Sequence, residues 1–238
     1  MLTQSLRFMV IALLTSTAFA QGTQPLPPKP TTLLLVGASG MIGSRILAEA
    51  AERGHPVIAA SRHPEKIASG ANIRAVKLDA TDWQAFVALA READVIVTAT
   101  SPRGGGDPAK EAKAVGDAAI AAARATGKRL IIVGGAGSLM LPDGRPVAET
   151  LPPAYRPEAL AMRGVLDSLK ASDINWTFFS PAFSIAPGKR TSHYRLGTTT
   201  LLSDPHGESR ISAEDYAQAL VNELESPAHL RGQMTIAY

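Results

Sequence analysis

The stretch LLLVGASGMIG, residues 33–43, carries four apolar residues into three glycines, Gly37, Gly40 and Gly43, placed three apart. A short unbroken apolar run is what a strand buried on both faces requires. Ile42, Ile46, Leu47 and Ala50 then recur on one face of a helix over residues 41–53, and Gly54 sits where such a helix stops. A plain tight turn needs one glycine. Three of them between a buried strand and a helix start fit a turn that must also let an anion approach the backbone. The first permits the sharp bend, the second close approach of a pyrophosphate, and the third close packing of helix on strand. The helix start adds unpaired amides and a positive dipole end. The cofactor contacts expected here are Gly37, Ser39, Gly40, Met41, Ile42 and Gly43.

Outward from this turn, strand and helix patterns alternate with short connections. Strands are expected at 57–61, 73–78, 93–100, 129–135 and 175–181, with a last one at the C-terminal MTIAY. Helices are expected after Thr81, which with Gln84 resembles a capping box, after Asp107-Pro108, at 157–171 and at 213–225. The pattern predicts an α/β fold of Rossmann type, a doubly wound parallel sheet in a single domain. Two stretches, 138–156 and 182–210, break the rhythm after late strands. They are expected to form a small substrate lobe over the crevice.

The residues after the second strand select between dinucleotides. An Asp or Glu there would take the ribose 2′-hydroxyl of NAD(H). This chain has Ser61 and Arg62, and an arginine fork suits a 2′-phosphate. NADP(H) is therefore the preferred cofactor and NAD(H) the second choice; the plain alternative is a solvated arginine. Asp79 is a candidate for the adenine amino group, and Thr98, Thr100 and Ser101 for ribose or phosphate contacts.

Ordinary ketone reduction in such folds uses a Tyr-x-x-x-Lys pair to move a proton. Tyr155 is followed four residues on by Ala159, and no tyrosine of the chain has the lysine. An acceptor whose reduced form takes its protons from water, such as a flavin or a quinone, needs only to be held against the nicotinamide. Ser138, just past the fifth strand, is the candidate catalytic residue; a turn serine is the alternative. Tyr155, Phe183, Arg190 and Tyr194 are candidate substrate contacts, the aromatics for stacking on a ring and the arginine for an anionic group such as the phosphate of FMN. The alternatives are lobe core for the aromatics and a solvated face for the charges.

Composition narrows the rest. The chain has 238 residues, a net charge of +3 and no long basic run, so a nucleic-acid partner is not expected. There is no cysteine, and the five histidines include no His-x-x-x-His pair, so no metal site is expected. Residues 1–20, with Arg7 before an apolar run and Ala18-Phe19-Ala20 at the end, have the layout of a secretory signal too short for a transmembrane anchor. Residues 21–30 read as a Pro-rich linker, and the dinucleotide-binding domain spans 31–238. A used signal implies export to the periplasm and an unused one a cytoplasmic protein. The expected partner is a small-molecule substrate, and the expected state a monomer or homodimer.

VGASGMIG, KLDATD, LIIVGGAGSLM, NWTFFSPA, GKRTSHYRLG and SRISAEDYAQALVNELE together resemble the NAD(P)H-binding atypical short-chain dehydrogenase/reductases. The resemblance is strongest to the bacterial NADH-flavin reductase group, related in fold to biliverdin-IXβ/flavin reductase and to NmrA-like regulators, and it covers residues 31–238. It implies a Rossmann fold and redox activity, or, by analogy with the NmrA-like proteins, nucleotide sensing without turnover. An epimerase or dehydratase of nucleotide sugars is disfavoured, because it too needs the tyrosine–lysine pair.

Overall fold

The structure is a computed structural model that describes residues 30–238. The signal and all but the last residue of the linker lie outside the described residues. Eight strands form one sheet in the order β3-β2-β1-β4-β5-β6-β10-β8. Of these, β1 (Leu33–Val36), β2 (Val57–Ser61), β3 (Ile73–Lys77), β4 (Val95–Thr98), β5 (Arg129–Val133), β6 (Trp176–Ser180) and β10 (Gly232–Ala237) are parallel. The eighth, β8 (Arg195–Gly197), is an antiparallel edge strand on β10. The chain leaves β1 in one direction along the sheet and returns to β4 on its other side. That reversal opens a crevice at the carboxyl ends of β1 and β4, where open α/β sheets bind ligands.

Helices α2 (Trp83–Ala90), α3 (Pro108–Thr126) and α5 (Arg156–Lys170) pack on one face, and α1 (Met41–Glu52) and α6 (Ala213–Glu225) on the other. Alternation along β1 explains the split. Leu34 and Val36 point into the first cluster, Leu33 and Leu35 into the second, so an all-apolar strand serves two cores. The α1–α6 side centres on Tyr216, fully buried, whose ring stacks on Phe179 at 4.2 Å and whose hydroxyl donates to the Phe179 carbonyl at 2.6 Å.

The helix starts follow local chemistry. Asp107 accepts from the Ala109 amide, Pro108 follows at the first helical position, and Gly127 ends α3 at φ +68°. The expected capping box at Thr81 is corrected: Asp82 caps α2 through the Ala85 amide at 3.1 Å. Thr81 instead donates both its amide and its hydroxyl to Asp79, forming a turn one residue too early to start the helix.

Buried ionic groups pin the ends of the layers. Arg129 on β5 pairs with Glu223 on α6, each under a tenth exposed, and Glu223 also accepts from the amides of Ala228 and His229. Removing one partner strands the other charge, so Arg129→Met is expected to cost about 3–5 kcal/mol, read as a lowered midpoint in urea unfolding.

Asp215, at the third position of α6, is fully buried. Burial pushes its carboxyl up, but bonds from the Thr191 hydroxyl and amide, the Ser192 amide and the Tyr238 hydroxyl outweigh it and hold it below the ordinary value of 3.8. The unfolded chain therefore binds this proton more readily. The stability it contributes is present above the ordinary value and is lost as pH falls through the lowered one. Thermal unfolding followed from pH 6 downward (roughly to pH 2, past the carboxylate range) should show this loss, and Asp215→Asn should flatten it.

The two insertions join. The amide of Met140 donates to Thr199 and the amide of Leu201 to Met140, so residues 138–156, with the short α4 (Val147–Thr150), zip to residues 182–210. Two further strands, β7 (Ser184–Ala186) and β9 (Arg210–Ser212), pair beside them. A small lobe forms, but the expectation that all of it lies over the crevice is corrected. Residues 188–192 cross to α1 and α6, where Glu214 accepts from Gly188, Asp215 from Thr191 and Ser192, and Glu49 pairs with Arg190.

Candidate functional site

At the glycine turn each glycine has a separate steric reason. Gly37 has φ +87°, and a Cβ there would lie 2.6 Å from the Ala99 carbonyl oxygen. A Cβ on Gly43 would lie 2.1 Å from the Gly37 carbonyl oxygen, because α1 is folded down onto the turn. Gly40 differs. It is exposed, its φ is −75°, and a Cβ would come no closer than 3.2 Å to the Gly37 oxygen and 3.8 Å to that of Ala99. What Gly40 leaves open is the space in front of the helix.

That space is lined by donors without acceptors. No side chain caps α1. The Gly37 and Ala38 amides bond to Ala60 and the Gly40 amide to Gly37, but those of Ser39, Met41, Ile42 and Gly43 have no partner among the described residues. Four free amides at the positive end of a twelve-residue helix form a seat for an anion. The residues present therefore fit the pyrophosphate of a dinucleotide. Ser39 also bonds to Ser61 at the end of β2, hydroxyl to hydroxyl at 2.6 Å, tying the glycine turn to the segment that carries Arg62.

Beside the turn a trench of about 420 Å³ follows the sheet edge. It begins at Arg62 and Asp79, passes Thr98 at the end of β4 and Thr100 and Ser101 beyond it, and ends at Ile132 on β5 and Met162 on α5. From β3 to β5 is four strand spacings, about 19 Å, so the trench suits an elongated ligand. Its charges are unbalanced in a useful way. Asp79 is engaged by Thr81, whose amide and hydroxyl hold its carboxyl below the ordinary range. Asp107 is engaged by Ala109 and Glu111 by the Gly104 amide. Arg62 and Lys110, also in the wall, form no salt bridge among the described residues, though Arg62 is close enough to Asp79 to help hold its carboxyl down. Arg62 and Lys110 are the charged side chains of the wall with no hydrogen-bond partner among the described residues.

The expected cofactor residues thus fall on one continuous edge: Arg62, Asp79, Thr98, Thr100 and Ser101 in the trench wall, and Gly37 to Gly43 with Ser39 at the adjoining helix start.

The expected substrate residues do not come together. Tyr155 precedes α5 and stands near Arg103. Phe183, half exposed, lines a separate hollow of the lobe with Leu201 and Arg210. Arg190 is bound at 2.8 Å to Glu49, about 12 Å down α1 from its start, and Tyr194 accepts from Asn222 on α6. These last two belong to an ion-pair cluster with Arg53 on the outer face of α1 and α6.

Ser138 lies at the expected end of β5, but it is buried and saturated. Its hydroxyl donates to the Gly135 carbonyl at 2.7 Å, is 2.8 Å from the Ser180 hydroxyl, and accepts from the Gln233 side-chain amide at 3.0 Å. Its single proton is committed to a backbone carbonyl.

Three residues without a sequence expectation tie the loop after β4 beside the trench. Arg103 reaches from the loop after β4 to Glu158 on α5 at 2.9 Å, and Glu111 holds the next residue of that loop. Only Glu111 had a local signal, sitting one helical turn past the Asp107 cap.

A family described as NAD(P)H-binding matches residues 37–227 of the chain. A crystal structure called a "putative exported protein" from Burkholderia pseudomallei is 42% identical, with a TM-score of 0.78, over 87% of this chain and 100% of that one. One called a "putative epimerase" from Bacteroides thetaiotaomicron is 36% identical, with a TM-score of 0.81, over 88% and 98%. A "putative NADH-flavin reductase" from Streptococcus pneumoniae is 28% identical, with a TM-score of 0.69, over 87% and 99%. Among the described residues no helix is long and apolar enough to cross a membrane.

Proposed function

This chain belongs to the NAD(P)H-binding family, and from that premise we propose that it is an NADPH-dependent reductase of a flavin, quinone or similar conjugated acceptor. The observation that carries the proposal is Arg62, just past the end of β2 in the trench wall and in no salt bridge among the described residues. The four open amides of the glycine turn would hold the pyrophosphate, Arg62 the 2′-phosphate, and Asp79 with Thr98, Thr100 and Ser101 the adenosine side. NAD(H) would bind through the same amides without the arginine contact.

Bound there, the nicotinamide would supply a hydride to the acceptor. The chain contributes orientation. Its tyrosines lack the partnering lysine, and the Ser138 proton is held by Gly135. Protons for the reduced acceptor then come from water, which suits ring systems that accept hydride directly. The same lack argues against epimerase chemistry for this chain. Tyr155 and Phe183 are both more than half exposed and available to a ring, Phe183 in the separate hollow of the lobe.

The direct test mixes the protein with NADPH or NADH and a panel of FMN, riboflavin and a quinone, following the nicotinamide absorbance. Oxidation with a preference for NADPH is expected. Tight binding with no oxidation across the panel would favour the alternative, a nucleotide-sensing protein of NmrA-like type. Ser138→Ala separates a structural from a catalytic serine. It is expected to cost about 1–3 kcal/mol of stability by leaving Gln233 and Ser180 short of a partner, with kcat changed only a few-fold (about 1 kcal/mol of barrier is fivefold). A large fall in kcat at unchanged stability would restore Ser138 as the catalytic residue. The N-terminal reading is tested by mass spectrometry of the mature protein from fractionated cells: cleavage after Ala20 and recovery outside the cytoplasm are expected.

A further inference from the structure

We propose that residues 101–106 form a hinged lid over the trench and that Arg103 is the positioning residue that closes it. The proposal rests on reading the trench as the nucleotide site. Ser101, Pro102, Gly104 and Gly106 roof the trench. The loop is tied at neighbouring residues to two different helices: the Arg103 guanidinium to Glu158 of α5 at 2.9 Å, and the Gly104 amide to Glu111 of α3 at 3.0 Å. The loop and α5, through Met162 and Val165, both line the trench, and the ion pair links the two beside it.

The glycines indicate that this closed arrangement is one of two. Gly105, at φ +89°, needs to be glycine as the loop stands. Gly106 does not. Its φ lies outside the left-handed range and a Cβ there would meet nothing within 4 Å. Glycine at 106 is therefore not explained by space or conformation in the closed loop. What it supplies is backbone freedom for another conformation. The tether has strength to match. Arg103 is 71% exposed and Glu158 25%, and a pair so open to water shifts an equilibrium by no more than roughly fivefold. That holds a lid shut between turnovers without locking it.

The test is stopped-flow release of NADPH, displaced by excess NADP⁺. Arg103→Ala and Glu158→Gln are each expected to raise the dissociation rate roughly two- to fivefold. The reversed pair, Arg103→Glu with Glu158→Arg, should return it toward the parent value. Gly106→Ala should act oppositely, slowing both association and release while leaving the protein as stable or slightly more so. A merely structural loop would not give faster release from one change and slower from the other. Unchanged release rates in both Arg103→Ala and Glu158→Gln would overturn the lid. If the parent protein binds neither NADPH nor NADH, it is the functional reading that fails, and amide hydrogen exchange without nucleotide decides the lid. Faster exchange at Gly104–Gly106 in Arg103→Ala supports it, and unchanged exchange overturns it.

Discussion

Gly40→Val is expected to abolish dinucleotide binding while leaving the protein folded. The two halves of that statement have different causes. The fold survives because Gly40 is exposed, its φ of −75° suits any residue, and its nearest Cβ contact is 3.2 Å from one carbonyl oxygen. Binding fails because the valine methyls would stand in front of the free amides of Met41, Ile42 and Gly43, where the pyrophosphate must come within hydrogen-bond distance. Losing two such bonds to a charged group costs about 3–6 kcal/mol, a fall in affinity of at least about a hundredfold. Calorimetry with NADPH, beside a thermal melt, measures both halves. Gly43→Ala is the contrast: with a Cβ 2.1 Å from the Gly37 oxygen it must move α1 off the turn, so stability and binding should fall together. Retained binding by folded Gly40→Val protein would mean that the phosphates sit elsewhere.

Arg62→Ala carries the second large effect, on the choice of cofactor. The guanidinium is in no salt bridge and has only a longer-range attraction to Asp79, so its loss removes mainly ligand contacts. Charge-assisted bonds to a phosphate are worth about 1.5–3 kcal/mol, so the Kd for NADPH should rise roughly 10- to 150-fold. That for NADH, lacking the phosphate, should stay within about twofold, as for a remote surface change. The comparison of 2′,5′-ADP with 5′-ADP isolates the same term from the nicotinamide end. Equal losses for both dinucleotides would remove the 2′-phosphate assignment and leave Arg62 as an ordinary solvated side chain.

Much of this site is written locally. The glycine turn, the strand before it and the helix after it lie within residues 33–52, and their demands are steric and short-range: a positive φ at Gly37, a bare backbone at Gly43, an uncapped helix start at Gly40. The same holds for Asp107-Pro108 opening α3 and Gly127 closing it. The Thr81 capping box failed for an equally local reason. Asp79, two residues earlier, offered Thr81 a better acceptor, and Asp82 took the cap.

The acceptor side was not legible in this way. Arg190 and Tyr194 stand in a run of cations and aromatics that reads as a ligand patch, yet Glu49, Asp215 and Asn222 draw that segment onto α1 and α6. Those partners are 23 to 141 residues away in the chain, and no spacing rule connects them. Ser138 has the expected place but not the expected freedom, because Ser180 and Gln233, brought beside it only by strand order, occupy its hydroxyl.

Sequence by itself determined the doubly wound sheet, the glycine turn at the head of α1 and the arginine just after β2, since each follows from neighbours a few bonds apart and from periodicities of two and 3.6. Tertiary structure alone decided which charges remain free. An arginine is available to a ligand only if no distant carboxylate reaches it first, and that depends on which surfaces the fold brings within 4 Å. Arg62 and Arg190 are the same residue type in equally plausible loops; packing left the first open to the trench and tied the second to Glu49.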